Sequence, residues 1–385
     1  MHKFIPYGTQ NIGKEDIEAV IAVLKSDFIS TGPKIKEFEE KFAQYVGSKY
    51  AVAVSSGTAA LNCACLAAGI KNGDEVITTP LTFIATSNVI LYCGAKPVFV
   101  DINPSTFNID ENLIEDKITN KTKAIMPVHF AGLPCDMDKI QTIAKKYNLK
   151  IIDDASHALG AEYKNIRIGT FGDMTTFSFH PVKHITTGEG GMITTNDEKL
   201  YRRLLLFRNH GITRDENDFI NSKDGNWYYE QIELGYNYRL TDFQSALGIV
   251  QLDKMNYSLS RRNEIVKMYE DGLKDVKEIE LPQNTKKGKS AWHLYIIKII
   301  DEKIDRKLVF DELRNRNIGV NVHYIPVYYN PYYEKLGYKR GICPNAEKVY
   351  KQIITLPIHP KMTNDDVEYV IENIKNIIGD MKKNG

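Results

Sequence analysis

The chain has 385 residues, 43% of them hydrophobic and 26% charged, enough to bury full cores in two or three domains. Fifty Lys and Arg stand against 49 Asp and Glu, a formal net charge of +1. That balance excludes a global basic field for nucleic acid or for an anionic membrane, so any phosphate recognition must be local. Five cysteines (Cys63, Cys65, Cys93, Cys135 and Cys343) are odd in number and lack metal-ligand spacing. They read as the reduced thiols of a cytoplasmic protein. The opening MHKFIPYGTQNIGK has no apolar leader core, and no run reaches the length of a membrane span.

The elements follow in chain order. Ile17, Val20, Ile21 and Leu24 fall on one face of a helix after Gly13. Strands are expected at 50–55 (YAVAVS), 75–80 (EVITTP), 97–102 (PVFVDI), 124–130 (AIMPVHF), 150–154 (KIIDD), 175–179 (TTFSF) and 191–195 (GMITT). Helices from about Thr58, from about Ile84 and over Met137 to Tyr147 alternate with them. Such repeated strand–helix–strand units predict a mainly parallel sheet covered on both faces. GEGG before GMITT is expected to turn one strand back against its neighbour.

From Leu240 to Tyr269 the pattern reads as one long helix with Thr241 as its N-cap. A strand at 293–300, a helix at 306–316, a second strand at 319–326, a helix near 345–352 and ITLPIHP come next. The closing helix carries Val367, Val370, Ile371, Ile374, Ile377 and Ile378 as an apolar stripe, read as core packing. The expected division is a large domain over 1–251 and a small α+β domain over 252–385.

Ligands of parallel sheets gather at C-terminal strand ends, and three groups of chemically useful residues lie there. Ser55-Ser56-Gly57-Thr58 joins a strand to a helix with small residues only. Free amides and the positive dipole end of the helix would suit an anion, although a plain N-cap explains the same residues. Without a lysine after the glycine it is no Walker loop.

Asp154 ends an apolar strand on the face of Ile152, with Asp153 on the other. A carboxylate there needs a cation or donors, or it caps the next turn. Lys183 is the only basic residue other than histidine between Met174 and Thr195. Desolvation would lower its pKa and free its amine as a nucleophile; a solvated charge is the plainer alternative. His180 and His184 have the spacing of a helical metal pair, but Pro181 and the strand before it argue against a helix, and no metal is expected. Taken together, an anion cradle, a strand-end carboxylate and an isolated lysine are the three anchors pyridoxal phosphate requires.

SSGTAAL (55–61), TTPLTFIAT (78–86), DDASHALGA (153–161), FSFHPVKHITTGEGG (177–191), FRNHG (207–211) and GYNYRLTDFQSALG (235–248) resemble the DegT/StrS-type sugar-nucleotide aminotransferases. The similarity runs nearly the whole chain in the family's order. It implies the aspartate-aminotransferase fold and pyridoxal 5'-phosphate, held covalently by Lys183 with Asp154 at its ring nitrogen. By position, Gly57, Thr58 and Ser178 would bind the phosphate and Phe83 would stack on the ring. His157 would lie near the ring hydroxyl.

Asn237 would reach the neighbouring subunit's phosphate, which implies a homodimer with shared active sites. SHALGAEY, FHPVKHITTGEGG and VHYIPVY most resemble the branch that aminates a UDP-linked 4-keto sugar, with L-glutamate as donor, in pseudaminic acid biosynthesis. In that reading Tyr7, Asp27, Phe28, Ile29, Ser30, Val322, His323, Tyr324 and Ile325 line the sugar-nucleotide site, together with Ser178 and Asn237. Other keto sugars, or a non-catalytic cofactor-binding regulator, stay open. The family's dehydratases carry histidine in place of the lysine, and a nicotinamide enzyme would want GxGxxG where this chain has SSGTAAL.

Overall fold

In the computed structural model, which describes residues 2–384, the alternating pattern resolves into a seven-stranded sheet. Its strands are β1 (Tyr50–Val54), β2 (Glu75–Thr78), β3 (Lys96–Phe99), β4 (Thr122–Met126), β5 (Lys150–Asp154), β6 (Met174–Ser178) and β7 (Gly191–Thr195). The order is β1-β7-β6-β5-β4-β2-β3. From β6 to β3 every pairing is parallel, whereas β7 runs antiparallel to both β6 and β1. The strand expected to turn back does so, through the glycines before Met192. Gly191 has no room for a side chain, since a Cβ would lie 2.4 Å from the Ser56 carbonyl oxygen.

Helices α1 (Lys14–Leu24), α2 (Pro33–Val46), α3 (Gly57–Ala67), α4 (Ala85–Tyr92), α5 (Met137–Tyr147) and α6 (Glu198–Arg208) accompany this sheet. The two faces bury separate clusters. Phe38, Phe42, Ile140 and Phe177 belong to one, and Val52, Leu61, Val89 and Ile193 to the other. The α1 stripe departs from ordinary burial. Ile17, Ile21 and Leu24 are 53%, 42% and 56% exposed, while Asp16 of the same helix is fully buried. Asp16 accepts from Gln251 and Lys254, which fastens α1 by its polar face and turns its apolar face outward.

The long helix expected from Leu240 to Tyr269 is instead two, α7 (Asp242–Asp253) and α8 (Met255–Leu273). Lys254 breaks the run at φ −88°, ψ 0°, with its amine committed to Asp16. One non-helical residue leaves the apolar period intact, so the pattern could not show it. Thr241 does cap α7, accepting from the Gln244 amide, and Gln244 Oε1 in turn accepts from the Thr241 amide to complete a capping box.

Beyond α8, strands β8 (Tyr295–Ile299) and β9 (Ile353–Leu356) pair antiparallel, with Ile279–Glu280 beside β8. Helices α9 (Arg306–Asn315), α10 (Pro331–Lys335), α11 (Pro344–Gln352) and α12 (Asn364–Asn384) complete this part. All six apolar residues of the α12 stripe are buried against α8 and the β8–β9 pair. The strand expected at 319–326 does not form. Asn321 alone bridges to Thr355, and Asn321 Oδ1 takes the Val322 amide. That segment is apolar because it walls a cavity. The N-terminal residues lie with these later elements, since Ile5 bridges to Ile318 and packs in the same cluster. No described helix is long and apolar enough to cross a membrane.

Candidate active site

The C-terminal ends of β1, β2, β5 and β6 open into a cavity of about 500 Å³, closed on the far side by residues 321–324 and His293. Its floor is the start of α3. Ser56 caps that helix by accepting from the Ala59 amide at 3.0 Å, and Gly57 and Thr58 occupy its first turn, where amides lack partners within the helix. A Cβ on Gly57 would lie 2.8 Å from Ser178 Cβ, so glycine lets the cradle close against β6.

Asp154 faces the cavity as the strand period requires. Its two oxygens accept from Thr86 Oγ1 at 2.8 Å and from the Ser156 amide at 3.1 Å. Thr86 is in turn bonded to Thr82 at 2.9 Å. Both of Asp154's donors are neutral, which leaves its charge available to a cation in the cavity. Asp153 points the other way, into the core, where it accepts from the Gly172 amide and Thr175.

Lys183 enters the same cavity. Burial pulls its amine down to about 8, against the opposing pull of Asp154. An amine with that pKa holds about a tenth of its population as free base at pH 7, far more than a solvated lysine, and that fraction can act as a nucleophile. The imidazoles around it are neutral: burial drops His184 and His323 to about 3 and His157 well below its ordinary value. His157 Nε2 bonds to Tyr324 Oη at 3.1 Å, while its buried Nδ1 has no partner. Phe83, 57% exposed, forms one wall at a ring-centroid distance of 6.3 Å from Tyr324.

The structure thus brings together Tyr7, Gly57, Thr58, Phe83, Asp154, His157, Ser178, Lys183, Val322, His323 and Tyr324. It does not bring Asp27, Phe28, Ile29, Ser30, Asn237 or Ile325 to this chain's cavity. Asp27 to Ser30 are exposed beside the start of α7, where the Ile29 carbonyl takes the Asp242 amide. Asn237 is exposed on a segment bridged to Asn209. That segment does approach the cradle, since the Tyr238 carbonyl takes the Ser55 amide at 2.8 Å. His180 and His184 do not converge: His180 is exposed, and His184 Nε2 bonds the Ala291 carbonyl at 2.9 Å.

Sequence reasoning gave no separate role to Thr86, which orients Asp154, and missed His293, which meets Lys183. Thr86 lay within a quoted motif, ten residues from the nearest charged residue in sequence. His293 carried no signal, because it follows Lys183 by 110 residues and arrives through the fold.

The site fits pyridoxal phosphate on its own terms. It has an anion cradle only glycine can close, a carboxylate met only by neutral donors, an amine of lowered pKa and an orphaned imidazole nitrogen. Comparison with known proteins agrees. Residues 10–375 match the DegT/DnrJ/EryC1/StrS aminotransferase family. The chain is 44% identical over 380 residues to the spore coat polysaccharide biosynthesis protein SpsC of Bacillus subtilis, covering 97% of each. It is 41% identical over 384 residues to a Campylobacter jejuni UDP-4-amino-4,6-dideoxy-N-acetyl-beta-L-altrosamine transaminase, covering 98% of this chain and 99% of that one. Helicobacter pylori PseC, an aminotransferase involved in pseudoaminic acid biosynthesis, superposes with a TM-score of 0.91 at 34% identity, over 98% of this chain and 100% of that one. Other similar structures are solved in PLP and PMP forms. The chain belongs to the DegT/DnrJ/EryC1/StrS aminotransferase family and is a pyridoxal-phosphate-dependent sugar aminotransferase.

Proposed function

We propose that this enzyme transfers the amino group of L-glutamate to C4 of a UDP-linked 4-keto-6-deoxy-N-acetylhexosamine, UDP-2-acetamido-2,6-dideoxy-β-L-arabino-hex-4-ulose, in pseudaminic acid biosynthesis. The observation that carries the chemistry is Lys183, an amine lowered to about 8 in a cavity it shares with Asp154. The sugar rests on the relatives named for that transamination.

Pyridoxal phosphate, when bound, supplies the electron sink that makes the donor's α-proton acidic. The chain's residues do the rest. The amides of Gly57 and Thr58, with Ser178, hold the phosphate, and Asp154 keeps the ring nitrogen protonated. Phe83 covers the ring face. Lys183 Nζ takes the proton from the donor's α-carbon and, in the second half of the cycle, returns one to C4 of the sugar. A positioned acid–base group of this kind contributes roughly 10²–10⁴ in rate.

The unit we propose is a homodimer with shared sites. The outward apolar stripe of α1 and the exposed Phe28 and Ile29 support a protein partner. Asn237 and residues 27–30, absent from their own cavity, would then serve the neighbour's.

The identity to SpsC favours a second reading, in which the acceptor is another nucleotide-linked keto sugar. The test is a panel of UDP-, dTDP- and GDP-linked 4-keto sugars with glutamate, monitored for 2-oxoglutarate. Preference for a dTDP or GDP sugar would overturn the UDP assignment. No 2-oxoglutarate with any acceptor would overturn glutamate as donor.

A further inference from the structure

Lys183 Nζ has a polar side-chain neighbour that takes no part in the transfer chemistry. His293 Nε2 lies 3.4 Å from it. His293 is 4% exposed, with its ring 4.4 Å from that of His157 and 5.5 Å from that of His184. Its Nδ1 is buried and has no partner. Unpartnered nitrogens alone do not mark a role, since buried His359 pairs neither of its own among the described residues. What sets His293 apart is that its one hydrogen-bond partner is the Lys183 amine. His323, by contrast, is satisfied within the fold, with Nδ1 on Thr355 and Nε2 near Asn321.

The backbone holding His293 is fixed from both sides. Arg262 of α8, fully buried, donates from Nη1 to the carbonyls of Trp292 at 2.9 Å, Ile358 at 3.0 Å and His293 at 3.4 Å. The Ala291 and Leu294 amides donate to Gly132 and Ala131 of the large sheet's connections. Trp292 is held at φ +52°, a conformation disfavoured for a bulky residue, which only such a surround maintains. A Cβ at Gly132 would crowd the Trp292 and His293 amides at 2.9 and 3.1 Å, so the two segments meet as closely as glycine allows. A buried cation and a strained turn are committed to placing this one ring.

We propose that His293 is a positioning residue for Lys183, holding Nζ by a hydrogen bond from the small domain whenever that amine is free. Either tautomer serves: a bare Nε2 accepts from Nζ, and a protonated one donates to the neutral amine's lone pair. The inference rests on Lys183 being the amine that carries the cofactor.

The test uses the full-length protein stripped of cofactor, given saturating pyridoxal phosphate and quenched with borohydride at timed intervals, the fixed mass being located by peptide mass spectrometry. Three variants separate the roles. His293→Gln places an amide where Nε2 stands, His293→Asn reaches only as far as Nδ1, and His293→Leu has no polar atom. With one hydrogen bond lost, Leu and Asn should fix cofactor on Lys183 about tenfold more slowly. In turnover they should lower kcat by a similar factor with KM for both substrates little changed. Gln should recover most of both. Thermal midpoints control for folding, and the Asn and Gln pair carries the test if Leu does not fold. Parental capture rates in Asn, or no difference between Asn and Gln, would overturn the proposal. Absence of fixed mass on Lys183 in the parent would overturn the lysine assignment beneath it.

Discussion

Asp153 and Asp154 are consecutive on β5, and their contrast can be measured. Asp153 is fully buried; one oxygen accepts from the Gly172 amide at 2.9 Å and Thr175 Oγ1 at 3.1 Å, and the other has no partner. Burial pushes this carboxyl from its ordinary 3.8 up to about 7. Between those values the folded protein holds a proton that the unfolded chain has released. Stability from this group is therefore complete below about pH 4 and is lost as pH rises through 7. A rise of about three pKa units corresponds to about 4 kcal/mol, of which about 3 kcal/mol falls above pH 5.

Replacing Asp153 by Asn fixes a neutral group there. Its carbonyl oxygen can still take both donors, but its buried NH₂ has no acceptor, at a cost of about 1–3 kcal/mol. The variant should be less stable than the parent at pH 5 and equal or more stable at pH 8.5. The difference between them, from urea unfolding across that range, should shift by about 3 kcal/mol. Taking the difference cancels the other titrating groups. Turnover should stay near the parental value, because Asp153 faces away from the cavity. Asp154→Asn should do the reverse for activity, losing turnover by orders of magnitude. Parallel stability curves for parent and Asp153→Asn would refute the buried-proton reasoning.

Gly57→Ala places a methyl 2.8 Å from Ser178 Cβ and should weaken cofactor affinity at least tenfold, read by equilibrium dialysis, and also lower the stability of the cofactor-free protein by about 1–3 kcal/mol as the cradle is forced apart. Covalent capture of pyridoxal phosphate by the stripped protein should accelerate with pH, with a midpoint near 8 and a plateau above about 9, as Lys183 loses its proton; a midpoint near 10 would show a solvated lysine. Mixing Lys183→Ala with Asn237→Ala chains should restore activity, since a shared site leaves one cavity carrying both defects and one carrying neither. No recovery despite demonstrated subunit exchange would return Asn237 to its own chain's site or remove it from the site altogether.

How much of this was legible in the sequence depends on how far apart the cooperating residues lie. The cradle, Asp154 and Lys183 were readable because each lies at or just past the C-terminal end of its own strand of one mainly parallel sheet, Lys183 five residues beyond β6. Strand period and connection type alone bring such ends to a common edge. The break at Lys254 was invisible because it conserves the helical period. The supposed strand at 319–326 misled because a cavity wall demands apolar residues as a sheet does, without supplying a partner for its amides.

The α1 stripe was seen correctly as a face, yet an amphipathic pattern does not say which face the core will claim. Here the buried Asp16, anchored by Gln251 and Lys254, settles that against the apolar side. The residues missing from the cavity follow from the same limit. Asp27 to Ser30 were assigned to the site by resemblance alone, and no short-range rule says how far such residues lie from the cavity; Asn237 was expected at the neighbouring subunit's phosphate rather than in its own chain's cavity. His293 is the sharpest case. Its position is the product of a guanidinium on α8, a strained Trp292 and a glycine after β4, three features far apart in sequence that act only once the small domain has packed against the large one. The half of the site that binds the cofactor's anion and ring was therefore written locally. The half that steadies the moving amine exists only in the assembled fold, where a change at Arg262 or Gly132 would reach Lys183 without touching it.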